Sequence, residues 1–567
     1  SDALIEGAQG ENVGPGKILV HLKHWPGSGP HLDGQGRWLV YPSDNQEYHY
    51  TPWRSGIKKG ALAAMGYYSG TYYDTLNVNY SYHLSTEVLK EEMGFKGAIC
   101  TDWGVATNGP LNPRLQGTTS VKDNYCMIFN AGVDQIGSET HPEYVVELVN
   151  EGRLPIERVD DAVSRILLWH FSLGLFENPY VDEAKAGSMD YADEHLAAAK
   201  QAAVESAILL KNDKQTLPLT KAKTILLVGP MADNPYDQMG TWTFDGQKEH
   251  TVTPLAALKK DFNVIYDPIL ASTRDLSTAN ISKVRSLAGR ADAIVVVVGE
   301  EAIMSGEAHS MSDLDLKGAQ SQIIAAARQT GKPVVVVIMA GRELTIKKDL
   351  ENCDALLYCF HPGTMGGEAL ADLLTGRETP SGKLPMTMLV EAGQAPFYYN
   401  HNNGGRPVTG TETLLMDIPM QAGQTSLGNT SHYLDSGYGP LLPFGYGLSY
   451  TEFKIDNISL DKTSYAKTET IKVTYDIANT GKAKGTEVVQ MYINDVTGSV
   501  ARPVKELKRF ERVTLEPGQK VTRTFELPVS ELAFYGLDMT CKVESGAFKL
   551  WVSNDSASGE PVNFDVK

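Results

Sequence analysis

Four stretches between residues 224 and 360, TILLVGP, AIVVVVGE, PVVVVIMAG and DALLYCF, are apolar at nearly every position. A strand that is apolar on both faces has to be covered on both faces, the environment of a mostly parallel sheet with helices on either side. Helical text such as KGAQSQIIAAARQTG falls between these strands, so residues from about 205 to 390 predict a doubly wound αβα sandwich. An earlier series, KILVHL, ALAAMGYY, GAICTDW and AGVDQIG, has the same βα rhythm, but its strands end in polar residues; four such units predict half of a (β/α)8 barrel. Within it, Ser85 and Thr86 are placed to cap the helix running through EVLKEEMGF, and Pro142 and Pro155 sit where first-turn prolines start helices. Ile156, Val159, Val163, Ile166 and Leu167 recur at helical spacing and predict one docked face. Residues 393–452, rich in Gly, Pro, Asn and Tyr, read as an ordered connector. Beyond it, the alternation in ETIKVTYDIANTGKAKGTEVVQMYIND predicts a small β-sandwich. The expected class is a multidomain α/β chain divided as 1–185, 186–392, 393–452 and 453–567.

A length of 567 residues is too great for one core and suits three or four domains. The net charge of -18 repels phosphate backbones and anionic headgroups, which argues against nucleic acid and membranes as partners. The opening residues lack a cationic start followed by an apolar run, and no later stretch of about 18 apolar residues occurs. Five cysteines leave at least one thiol unpaired within the chain. Cys353 and Cys359 lie in one strand-like run whose extension, at about 3.3 Å per residue, holds them roughly 20 Å apart, too far for a disulfide. Spacings suited to zinc are absent, and no metal or organic cofactor is expected.

The candidate chemistry sits at strand ends. Asp102 follows the strand GAIC directly, where barrel enzymes keep their catalytic groups, although an Asp there can equally cap the next helix. Trp103 offers an aromatic face to a sugar, or packs in the rim. Lys23 and His24 follow KILVHL and can donate to sugar hydroxyls. Tyr67 and Tyr68 end ALAAMGYY, one suited to the site and the other to packing. Glu307 lies past the carboxyl end of a sandwich strand, where open α/β sheets bind ligands, but spacing alone does not separate it from Glu300, Glu301 and Asp313. LLVGPMAD and VVVVGEEAIMSGE lack the glycine patterns that wrap phosphates, which argues against a nucleotide site.

KHWPGSG, GFKGAICTDWGV, AGVDQ, GEEAIMSGEAHSMSDL, HPGTMGGEALADLLTGRETPSGKLPMT, YYNHNNGGRP and PFGYGLSYTEF stand here in the order found in family 3 glycoside hydrolases, which the chain resembles along its whole length. The resemblance implies a barrel, an αβα sandwich and a fibronectin type III-like domain. It also implies retaining, exo-acting cleavage of a non-reducing β-linked sugar, most simply glucose, through a covalent glycosyl-aspartate. Asp102 matches the family's nucleophile and Glu307 its acid/base. Lys23 and His24 match the pair that holds the sugar, Tyr67 (or Tyr68, if the match slips by one) matches a tyrosine near the nucleophile, and Trp103 matches a stacking aromatic. Retention needs two carboxyl groups about 5–5.5 Å apart, so the resemblance places the site between barrel and sandwich.

The family barrel normally begins well upstream of the KH motif. The expectation is that an N-terminal half-barrel, with further sugar-binding residues, exists as a separate chain, a cleaved part or unrecorded residues. A homodimer is also compatible with the resemblance. The presence of Glu307 argues against the N-acetylglucosaminide subgroup, which replaces that glutamate by a His-Asp arrangement. β-Xylosidase action and non-catalytic carbohydrate binding remain alternatives, and a periplasmic or secreted location is favoured by analogy.

Overall fold

The computed structural model describes residues 2–27, 46–70, 76–109, 119–427 and 430–567, so Ser28 and Gly29 of the KHWPGSG motif lie outside the described residues. The chain forms two compact units, Ser1–Gly187 and Ser188–Lys567.

In the first unit, β1 (His21–Trp25), β2 (Ala63–Gly66) and β3 (Ala98–Thr101) form a parallel sheet in that order. β1 starts later than KILVHL suggests, because its partner β2 begins only at Ala63, opposite His21. Lys23 and His24 therefore lie inside the strand and not beyond it. The fourth expected strand, AGVDQIG, shrinks to one bridge between Gln135 and Cys100. Asp134 explains the truncation: its carboxylate accepts the Ile99 N–H at 2.8 Å while the backbone N–H groups of Asp134 and Gln135 both donate to the Ile99 carbonyl. The other carboxylate oxygen takes Lys90 Nζ at 2.8 Å and the guanidinium of Arg158, in a buried cluster.

Two local expectations need correction. The helix of EVLKEEMGF spans His83–Glu92 and begins ahead of Ser85 and Thr86. Those hydroxyls donate instead to the Val78 and Ala131 carbonyls, at 3.0 and 2.9 Å, and Ser81 Oγ receives the Leu84 N–H. In the helix Ile156–Ser172, Ile156 and Val163 are exposed. The helix is rolled so that Arg158 reaches the Phe129 and Val133 carbonyls, both at 2.8 Å, and Arg165 those of Phe95 and Gly97, both at 3.1 Å, with Ala162 buried between. Directed hydrogen bonds from the two guanidinium groups to these carbonyls outweigh the burial of two aliphatic side chains.

The second unit holds a six-stranded sheet of order β4-β9-β8-β7-β5-β6. Its strands are β4 (Ile208–Asn212), β5 (Thr224–Val228), β6 (Asn263–Asp267), β7 (Ala293–Gly299), β8 (Val334–Met339) and β9 (Ala355–Tyr358). All neighbours run parallel except β4 against β9. β4 and β6 are edge strands that the reading of the four apolar runs passed over. Alternate residues feed separate cores: Leu227, Val295, Val297, Val335 and Leu357 point into one, and Leu226, Val296, Val298, Val336 and Leu356 into the other. This two-sided burial is what the unbroken Val and Ile runs demand.

The C-terminal β-sandwich pairs one sheet made of Phe453–Leu460, Thr470–Asn479 and Lys520–Pro528 with another built on Gly485–Asp495, Glu506–Leu515, Gly546–Ser553 and Val562–Val566. The connector leading to it is mostly irregular and is tied to the αβα layer by the Leu209–Leu448 and Met388–Leu442 bridges and by Tyr450, whose hydroxyl donates to the Leu373 carbonyl at 2.7 Å. All five cysteines are free thiols. Burial pushes those of Cys353 and Cys359 up to about 12.

Candidate active site

Asp102 is the first residue beyond β3, and the turn that follows gives it its setting. Gly104 adopts a left-handed conformation, φ 70°, that starts the short helix Val105–Asn108. This bends the chain sharply enough for the Trp103 N–H to donate to Asp102 Oδ1 at 2.7 Å. The second oxygen, Oδ2, lies 3.4 Å from His24 Nε2, and only 15% of the Asp102 side chain is exposed. The carboxylate is thus gripped from both sides, by a main-chain donor and by an imidazole, instead of capping the helix.

The neighbouring strand ends complete the arrangement. Tyr67 lies with its ring centroid 5.2 Å from that of His24. The Tyr68 hydroxyl donates to the Trp103 carbonyl at 2.7 Å, so Tyr67 is the one beside His24 and Tyr68 braces the turn. Beneath them Asn79, fully buried, donates to the Tyr67 carbonyl at 3.0 Å. The Trp103 indole is 56% exposed, with one edge over Gly137, where an added Cβ would sit 2.7 Å from ring carbon Cε3. Lys23 and His24 both line a hollow of about 720 Å³ with His49 and Trp53. Asp102, Trp103, His24, Tyr67 and Tyr68 are brought together; Lys23 shares the hollow with His24.

In the second unit, the four carboxylates left open by the sequence separate by what holds them. Glu300 is buried and its Oε2 pairs with Arg342 Nε at 3.0 Å; burial raises its pKa against the pull of that guanidinium. Glu301 is buried and bound to Arg274 at 2.6 Å and to Thr273. Asp313 is exposed and paired with Lys317 at 2.8 Å, which lowers its pKa. Glu307 is exposed, and among the described residues its carboxylate has no partner. It sits at the tip of a loop made sharp by Gly306, φ 117°, and Ala308, φ 63°.

Two features of this region were not legible beforehand. A Cβ on Gly306 would lie 3.5 Å from Trp242 Nε1, which sets the exposed Trp242 indole beside the Glu307 loop, in T-shaped contact with Phe244. Arg342, three residues past β8, reaches into the same loop. Trp242 falls in the Gly- and Thr-rich text MGTWTFDG, where no periodicity marks it; an isolated Trp in such a stretch was the available signal.

Chemically, the first unit presents a fixed, ionisable carboxylate among donors and aromatic faces, and the second an unencumbered carboxyl group beside an indole. Residues 1–168 match the model of the glycosyl hydrolase family 3 N-terminal domain, 207–450 that of the family 3 C-terminal domain, and 487–556 that of the fibronectin type III-like domain. The chain is 32% identical over its whole length to a periplasmic β-glucosidase of Salmonella typhimurium, of which it covers 76%. It is also 32% identical, over 99% of its length, to a putative β-xylosidase of Formosa agariphila, covering 72% of that protein. A β-glucosidase of Listeria innocua solved with isofagomine superposes with a TM-score of 0.84 at 32% identity, over all of this chain and 77% of that one. The chain belongs to glycosyl hydrolase family 3.

Proposed function

We propose that this glycoside hydrolase is a retaining, exo-acting β-glucosidase in which Asp102 attacks the anomeric carbon and Glu307 serves first as acid, then as base. The observation that carries the reading is the hold on Asp102: an N–H at 2.7 Å and an imidazole at 3.4 Å fix one carboxylate in place at the end of a barrel strand. In the first step an Asp102 oxygen bonds to the anomeric carbon while the glycosidic oxygen leaves with the proton of Glu307. In the second, Glu307 takes a proton from water, whose oxygen displaces Asp102 and restores the original configuration. His24 and Lys23 donate to sugar hydroxyls, and Trp103 offers its exposed face to the sugar or the leaving group.

Replacing Asp102 by Asn is expected to abolish turnover of aryl β-glucosides by several orders of magnitude with an unchanged melting temperature. The Asp102→Gly variant with azide is expected to yield the α-glucosyl azide, the product of direct attack on the vacated face. Turnover persisting in Asp102→Asn sinks the assignment. β-Xylosidase action is the second reading, favoured by the 32% identity to the Formosa protein. The ratio of kcat/KM on aryl β-glucoside and aryl β-xyloside decides between them.

A further inference from the structure

The loop that carries Glu307 is held at its shoulders and free at its tip, and one side chain supplies much of the hold. Arg342 Nη2 donates to the carbonyls of both Met304 and His309, the latter at 2.9 Å, so a single guanidinium brackets the segment containing Glu307. The same guanidinium is fixed from behind: its Nε lies 3.0 Å from Glu300 Oε2, and the Glu300 side chain is 1% exposed. The Arg342 carbonyl in turn accepts the hydroxyl of the fully buried Tyr358. On the other side of the loop, Thr241 Oγ1 lies 2.8 Å from the Ala302 carbonyl and 3.1 Å from that of Ser305. Among the described residues nothing polar holds the Glu307 carboxylate itself, so its placement depends on the backbone that bears it.

We propose that Arg342, anchored by Glu300, is a positioning residue for general acid/base catalysis by Glu307. This inference rests on the acid/base reading of Glu307 and deepens it. Removing the guanidinium frees two carbonyls at the loop's shoulders and leaves Glu300 buried and unpaired, and the carboxyl group then samples orientations from which it cannot deliver its proton. A general acid contributes about 100-fold or more, but only where the departing oxygen needs protonation. The loss therefore depends on the leaving group, which a general destabilisation of the fold does not reproduce.

The test compares kcat/KM on phenyl and on dinitrophenyl β-glucosides for wild type, Arg342→Met, Arg342→Lys, Glu300→Gln and Glu307→Gln, with melting temperatures measured alongside. Because kcat/KM reports the first chemical step, Glu307→Gln is expected to lose about 100-fold or more on the phenyl glucoside and little on the dinitrophenyl one. Arg342→Met is expected to show the same split at smaller amplitude. Arg342→Lys, which can keep one contact but not the fork, is expected to fold like wild type and fall between. If Glu307→Gln shows the split and every folded Arg342 and Glu300 variant loses equally on both substrates, or not at all, the inference is wrong while the acid/base reading stands. If Glu307→Gln itself shows no split, the acid/base reading falls first. Should Arg342→Met fail to fold, Arg342→Lys and Glu300→Gln carry the same decision.

Discussion

Four acidic residues follow or flank the end of β7, and the work each can do is set by its partners. Glu300 pairs with the part-buried Arg342, Glu301 with the exposed Arg274 and Asp313 with the part-buried Lys317; among the described residues, Glu307 alone of the four keeps both oxygens uncommitted. A fifth carboxyl, Glu343, shows how burial alone acts: desolvation pushes it up to about 7 although the Leu389 N–H donates to it. Between its ordinary value of 4.5 and about 7 the native state holds the proton that the unfolded chain has released, so stability falls as pH rises through that window. Glu343→Gln carries no charge at any pH and escapes this loss. Its melting temperature is expected to gain on that of wild type between about pH 5 and about pH 8; a gap independent of pH refutes the assignment. At this scale the sequence narrowed the choice without closing it. Asp102 stood out as a candidate because it abuts an apolar strand, whereas the partners that set Glu300 and Glu301 apart from Glu307, Arg342 and Arg274, come from distant segments and leave no local trace.

The elements were legible in proportion to how much of their burial is periodic. The sandwich strands announced themselves through runs of Val and Ile, and their residues do divide between two cores. The short edge strands β4 and β6 carry too few apolar residues to stand out from helix text. The helix Ile156–Ser172 misled, since its inward face is organised by Arg158 and Arg165, which a hydrophobic pattern counts as solvent-facing. The same charges explain why β3 is followed by a bridge and not a full strand. Asp134 is the hub: it accepts a main-chain N–H from β3 three residues before Asp102 and neutralises Lys90 and Arg158. Asp134→Ala removes the carboxylate facing buried Lys90 and part-buried Arg158 and is expected to cost about 3–5 kcal/mol, read as a fall in the denaturant midpoint. A loss below about 1 kcal/mol would show that water or neighbouring Asp161 replaces it.

Within the second unit, buried polar contacts join the αβα layer and the connector to the β-sandwich. Lys383 and Glu487, 11% and 6% exposed, pair at 2.6 Å across that boundary, and Gln490 donates to the Gly445 carbonyl at 3.1 Å. Glu487→Ala leaves Lys383 unpaired in a dry setting; a cost of about 3–5 kcal/mol is expected, together with the splitting of one calorimetric transition into two. A single unshifted transition would argue that the domains are joined by apolar contact alone. The bridge between Leu209 and Leu448 carries a consequence for biosynthesis. It covers the outer edge of β4, yet its second half leaves the ribosome only after a further stretch of chain that takes roughly ten to fifty seconds to translate at about 5–20 residues per second. For that interval the nascent polypeptide displays an unpaired strand flank, a template for edge-to-edge aggregation in a cell that overproduces it rapidly, before the catalytic machinery has any bearing.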